Sequence, residues 1–295
     1  MTRHVAIGRR LARIVGSFLV VWLAARLVAP WLGARRRQRL ARRLSAWLLA
    51  TIDVRLELRG EAPSSGPVLL VANHVSWIDV QLLNATCPAR FVAKAETRRW
   101  PVCGGIAAGF DTFFLERGSL RDAARVKIRV ARALAAGQSV AVFPEGTTTD
   151  GRTLGRFYAA LFEAAIEAGV PVQPVAIRYP RTDGSANPAA AFVDEMTFVD
   201  SLLRVALEPT LAARLTFAPV IATAGASRRE LAAHARRLIA GALGMPALAA
   251  ASDHVARLPP AAWRRTPRRD RPARRPGWAT RRRPPTMPVV PPAVA

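Results

Sequence analysis

Five consecutive apolar residues, Val68 to Ala72, run into Asn73, His74 and, five positions beyond the histidine, Asp79. A run of this kind, with no polar alternation, fits a strand buried on both faces and so places it in an α/β sheet covered by helices. On a regular helix His74 and Asp79 would stand about 140° apart. A loop must therefore separate them if their side chains are to meet. Asn73 and Ser76 suit a loop, and the apolar stretch after Asp79 reads as a helix whose first turn tolerates an acid. An imidazole can take a proton from a hydroxyl near neutral pH, and a carboxylate on its other nitrogen fixes the tautomer and stabilises the imidazolium. The pair reads either as such a dyad or as an ordinary strand-end histidine beside a helix-capping aspartate.

The 295 residues suffice for one large α/β domain with appendages. A formal net charge of +24 implies an anionic partner, either nucleic acid or an anionic membrane surface. Arginines crowd before Leu44 and after Arg257, so the basic character belongs to the ends, and a hydrophobic content of 51% argues against a wholly disordered nucleic-acid binder. Cys87 and Cys103 are the only cysteines and form no metal-ligand pattern, so neither a disulfide framework nor a metal is expected.

Ile14 to Leu32 is apolar over nearly the length of a bilayer span, interrupted by Arg26 and Pro30. Arginines flank it on both sides, which gives no orientation. It reads as a membrane anchor, either a single span or a helix lying in one leaflet with its basic ends on anionic headgroups. A second short amphipathic helix is expected over Leu44 to Ile52. Strands are expected over Val54–Leu58, Asp111–Leu115, Ser139–Phe143, Val170–Ile177 and Ala212–Pro219. Helices are expected over Arg121–Gly137, Leu154–Ala168, Phe192–Glu208 and Ser227–Leu243, the last opening with Ser227 and Glu230 in capping-box spacing. From about Pro259 arginine and proline dominate, with Trp263 and Trp278 among them, and no core can form there. The division is thus an anchor over 1–53, a catalytic domain over 54–245 and a disordered basic tail over 246–295. His4, His234 and His254 have no carboxylate partner in a motif and read as incidental.

NHVSWID is followed by FFLERGS (Phe113 to Ser119), SVAVFPEGTTTDG (Ser139 to Gly151) and GVPVQPVAIRY (Gly169 to Tyr179). In order and spacing these resemble the four sequence blocks of the glycerolipid acyltransferases, the family of 1-acylglycerol-3-phosphate acyltransferases. The resemblance runs from Gly60 to Tyr179. It implies a mixed, mostly parallel α/β sheet flanked by helices, and acyl transfer from acyl-CoA or acyl carrier protein to a lysolipid hydroxyl, with no further cofactor. It makes His74 the base and Asp79 its orienting partner, with no covalent acyl-enzyme.

The resemblance also assigns the acceptor head group to Arg117, Glu145, Gly146 and Thr147, with Lys94 as an auxiliary cation. A guanidinium fork suits phosphate, a carboxylate can accept from a glycerol-like hydroxyl, and glycine permits close backbone approach. The commonest family form carries arginine where this chain has Thr148. The FPEGTT form resembles members acting on lyso-ornithine lipid, whereas family prevalence favours lysophosphatidate. Anionic lipids at the cytoplasmic face of the inner membrane are the expected surroundings, and no specific nucleic acid is expected. The reading of another class is a non-catalytic basic protein that binds membrane or nucleic acid through its ends.

Overall fold

The computed structural model describes residues 2–63, 66–193 and 196–245, with side chains from residue 7 onward. The arginine/proline segment, with Trp263, Trp278 and His254, lies outside the described residues, as does the side chain of His4.

Seven strands form one sheet: β1 (Val54–Arg59), β2 (Leu69–Ala72), β3 (Arg90–Lys94), β4 (Phe113–Leu115), β5 (Val140–Val142), β6 (Val172–Arg178) and β7 (Leu211–Phe217). Their order is β1-β7-β6-β2-β5-β3-β4. Every neighbouring pair is parallel except β6 and β7. The mixed, mostly parallel architecture is therefore the one expected.

The helices are α1 (Thr2–Leu23), α2 (Ala34–Thr51), α3 (Ile78–Thr86), α4 (Cys103–Gly109), α5 (Leu120–Ala135), α6 (Phe162–Ala168), α7 (Phe198–Leu207) and α8 (Arg228–Ala242). They form two layers. Ile14, Phe18, Leu48, Ile78, Leu82 and Val205 bring α1, α2, α3 and α7 onto one face of the sheet. Val126, Leu134, Phe162, Leu231 and Ile239 bring α5, α6 and α8 onto the other. In β2, Leu70 and Ala72 belong to the first core and Leu69 and Val71 to the second, all fully buried. That two-sided burial explains the uninterrupted apolar run, since each buried leucine or valine side chain contributes about 1.5–3 kcal/mol.

At the N-terminus α1 continues through a π-helical turn (Ala24–Val28) and a 3-10 turn (Ala29–Trp31). Ile7 to Trp31 is long and apolar enough to cross a membrane, with a mean hydropathy of 1.9. Ile14, Phe18 and Val21 face the core, while Val15, Leu19, Leu27 and Trp31 are exposed. The same helix thus seals the domain and offers an apolar outer face. Gly105 and Gly109 allow α4 to lie directly on it: a Cβ at Gly109 would sit 2.3 Å from the Ala25 carbonyl oxygen.

Three boundaries differ from expectation. The helix expected over Leu44 to Ile52 begins ten residues earlier, at Ala34, so the arginine cluster is part of it. The helix expected from Leu154 begins only at Phe162, after a short turn over Ala159–Leu161. Residues 154–158 are drawn out instead because Gly155 N–H donates to the Glu145 carboxylate, Tyr158 N–H donates to the Pro144 carbonyl, and the Leu154 and Gly155 carbonyls accept from Arg236. The helix expected from Phe192 starts at Phe198. Phe192 N–H is taken by the Val75 carbonyl, and Thr197 with Asp200 forms a capping box that fixes the start. The Ser227–Glu230 capping box forms where the spacing places it.

Candidate active site

β2 ends at Ala72 and α3 begins at Ile78, so the intervening turn carries His74 toward Asp79 in the first turn of the helix. His74 Nδ1 lies 2.8 Å from Asp79 Oδ2. That oxygen also accepts the backbone N–H groups of Val75 (2.7 Å) and Ser76 (2.9 Å), and Oδ1 accepts the Tyr179 hydroxyl at 2.6 Å. Asp79 is completely buried. An aspartate receiving three other donors is an acceptor toward His74 as well, so the imidazole proton sits on Nδ1 and the Nε2 lone pair is free. The His74 ring stacks on Phe143 at 3.8 Å and 9°.

Glu145 reaches the same turn from behind. Its Oε1 accepts His74 N–H at 2.9 Å and its Oε2 accepts Gly155 N–H at 2.7 Å. Thr149 N–H donates to the His74 carbonyl at 2.8 Å. The third block therefore grips the backbone of His74 on both sides. Burial pushes the Glu145 carboxyl above its ordinary value, and the two backbone donors work against that rise. Both oxygens thus accept backbone N–H groups, which makes Glu145 a support for His74 as well as a residue of the cavity lining, where the sequence placed it as an acceptor for the substrate.

Lys94 and Arg117 come together because β3 and β4 pair with Lys94 opposite Leu115. Arg117 follows two residues later. Burial and the neighbouring Arg117 hold the Lys94 ammonium below its usual range. Neither cation forms an ion pair with a carboxylate among the described residues. Asp122 fixes the start of this loop by accepting Glu116 N–H at 2.7 Å. Gly146 sits at φ +69°, and a Cβ there would stand 3.4 Å from Arg117 Nη2, so the glycine both makes the turn and leaves room for the guanidinium. Thr147 is exposed beside it, whereas the Thr148 hydroxyl donates to the Phe192 carbonyl and ties the loop inward.

His74, Lys94, Arg117, Glu145, Gly146 and Thr147 all line one cavity of about 840 Å³. Much of its wall is apolar, including Phe18 and Val21 of α1, Val80 of α3 and Ile106 of α4. Such a volume is within the range of small-molecule sites. Cys103 also lines it, but burial pushes the thiol up to about 11, leaving little thiolate at neutral pH. Among the described residues no group of three or more His, Cys, Asp or Glu side chains could hold a metal.

Three residues of the site escaped the sequence reading. Tyr179 ends the fourth block and has no role in that reading, yet a tyrosine closing a buried strand needs a partner for its hydroxyl, and that need was the available signal. Asn73 read as a loop former. It is instead buried, donating to the Ile177 carbonyl at 2.9 Å and accepting Ile177 N–H at 2.7 Å, which locks the end of β2 to β6. Phe143 read as a strand residue, and nothing in its spacing points to the imidazole it supports.

The acyltransferase family model matches residues 53–178. A lyso-ornithine lipid O-acyltransferase of Pseudomonas aeruginosa is 39% identical over 230 residues, covering 78% of this chain and 88% of that protein. A 1-acyl-sn-glycerol-3-phosphate acyltransferase of Neisseria meningitidis is 39% identical over 159 residues, covering 54% and 62%. The crystal structure of the LPA acyltransferase PlsC from Thermotoga maritima superimposes with a TM-score of 0.60 over 80% of this chain and 95% of that one, at 18% identity, and shows that the fold is shared. With a histidine–aspartate pair opening into an apolar cavity, and a relative this similar over most of both chains, the chain belongs to the acyltransferase family.

Proposed function

We propose that the chain transfers an acyl group from a thioester, acyl-CoA or acyl carrier protein, to the free hydroxyl of a lysolipid. The observation that carries this reading is the His74–Asp79 pair at a cavity lined by the cations Lys94 and Arg117 and by many apolar side chains. His74 Nε2 takes the hydroxyl proton, and Asp79 stabilises the imidazolium. The alcohol oxygen forms its bond to the thioester carbonyl carbon, the C–S bond breaks, and the imidazolium returns the proton to the departing thiolate. Direct transfer needs no covalent acyl-enzyme, and burial keeps the Cys103 thiol in the cavity mostly protonated. Arg117 and Lys94 hold the anionic group of the acceptor.

Two cations without an ion-paired carboxylate among the described residues suit the phosphate of lysophosphatidate, which is the first reading of the acceptor. The second is lyso-ornithine lipid, favoured by Thr148 and by the greater length over which a relative of that name aligns. The exposed apolar side of α1, with arginines on α2, suits an anionic bilayer surface at the cytoplasmic face of the inner membrane, where both acceptor and product reside.

The test is acyl transfer by membranes carrying wild type or His74→Ala, supplied with labelled acyl-CoA or acyl carrier protein and each acceptor in turn. Product from lysophosphatidate that vanishes in the variant supports the first reading; product from the ornithine lipid alone moves the acceptor and keeps the mechanism. If wild type acylates neither, or if His74→Ala matches it, the reading fails.

A further inference from the structure

We infer that Tyr179 is a positioning residue for acyl transfer, fixing the plane of the Asp79 carboxylate against His74; this rests on the function proposed above. The argument begins with the valence of the carboxylate. Oδ2 of Asp79 already serves three donors, the His74 ring and the Val75 and Ser76 amides, all from its own turn. Oδ1 has one donor among the described residues, the Tyr179 hydroxyl, and it comes from a residue 100 positions away at the end of β6. Without that contact Oδ2 is still held by its three donors, but the carboxylate plane can tilt about that oxygen, because the sp³–sp² torsion is broad. Such a tilt bends the hydrogen bond that Oδ2 makes to the His74 ring.

The phenol is itself fixed. Tyr179 is 3% exposed and follows Ile177, whose backbone N–H and carbonyl are both clamped by Asn73, immediately before His74. Two buried links thus tie the end of β6 to the His74 turn: Asn73 sets the strand's register, and Tyr179 uses it to place a donor on Asp79. Burial and the Asp79 charge push the phenol well above its ordinary value, so it remains a neutral donor wherever His74 works as a base. A hydroxyl placed only for packing could have been replaced by hydrogen. One placed on the second oxygen of a fully buried carboxylate is part of the dyad's geometry.

The test is a double-mutant cycle between Tyr179→Phe and Asp79→Ala, read by acyl transfer and by thermal unfolding. Tyr179→Phe is expected to lower kcat by about 10- to 100-fold, the range of a lost hydrogen bond to a charged group, with KM for both substrates unchanged. In the Asp79→Ala background the same change is expected to have little effect, because the group it positions is gone. Equal losses in both backgrounds would mean a structural contribution only and would overturn the inference. So would an unchanged kcat in Tyr179→Phe with wild type active. No acyl transfer by wild type on any acceptor would instead overturn the proposed function itself.

Discussion

Replacing Glu145 with glutamine separates two accounts of the third block, since it keeps size and shape and removes one acceptor. The carboxylate serves two backbone N–H groups on different oxygens, His74 at 2.9 Å and Gly155 at 2.7 Å. An amide can satisfy only one of them, and its NH₂ then faces the other N–H, donor against donor. A lost hydrogen bond to a charged group costs about 1.5–3 kcal/mol, and the orphaned amide adds a desolvation cost of about 1–3 kcal/mol. Burial already disfavours the ionised carboxyl, which offsets part of this. A net destabilisation of about 2–4 kcal/mol follows, or about 5–15 °C in the unfolding midpoint for a domain of this size. The His74 turn also loses its tie, so kcat is expected to fall by about 10- to 100-fold. Gly155→Ala reaches the same oxygen from the other side, since its Cβ would stand 2.9 Å from Oε2. Thermal unfolding and acyl-transfer kinetics on both variants decide the matter. An unfolding midpoint that does not move in Glu145→Gln, with KM for the lysolipid raised and kcat retained, would refute the supporting role and restore Glu145 as a ligand of the acceptor.

The chain has two lysines, Lys94 and Lys127, which makes amine labelling informative. Burial and Arg117 lower the Lys94 value, enlarging its neutral fraction, whereas Lys127 is paired with Glu167. An amine-acylating reagent at mildly alkaline pH should therefore modify Lys94 before Lys127, and the acceptor should protect it; equal rates for the two lysines, or no protection, would remove Lys94 from the site. Asp122→Asn should raise KM for the acceptor several-fold by freeing the Glu116–Arg117 loop, with kcat little changed. The Glu116 amide and Arg125 depress the Asp122 carboxyl, so its contribution to stability is present above the unfolded value near 3.8 and is lost as pH falls through the lower folded value. The melting difference between wild type and this variant should close over that acid range, and a difference that persists below it would contradict the assignment.

What the sequence determined on its own was local and periodic. Val68 to Ala72 announced a strand buried on two sides, the separation of His74 from Asp79 demanded a turn, and Ser227 with Glu230 marked a helix start; in each case the physics lies within a few residues. The family resemblance carried by the four blocks named His74, Arg117, Glu145, Gly146 and Thr147, with Lys94 between blocks, and the fold gathers them around one cavity. Tertiary structure alone decided how each of them faces. Residues 154–158 gave up a helix because their amides and carbonyls found partners in Glu145, Pro144 and Arg236, which lie far away in the chain. Glu145 reached the backbone of His74 for the same reason. Tyr179 reached Asp79 across 100 residues, through a register set by Asn73, and no local pattern carries that distance. Hydrogen-bond valence, unlike hydrophobic periodicity, is satisfied by whichever group the packed sheet brings near, so it becomes legible only once the strands are in place.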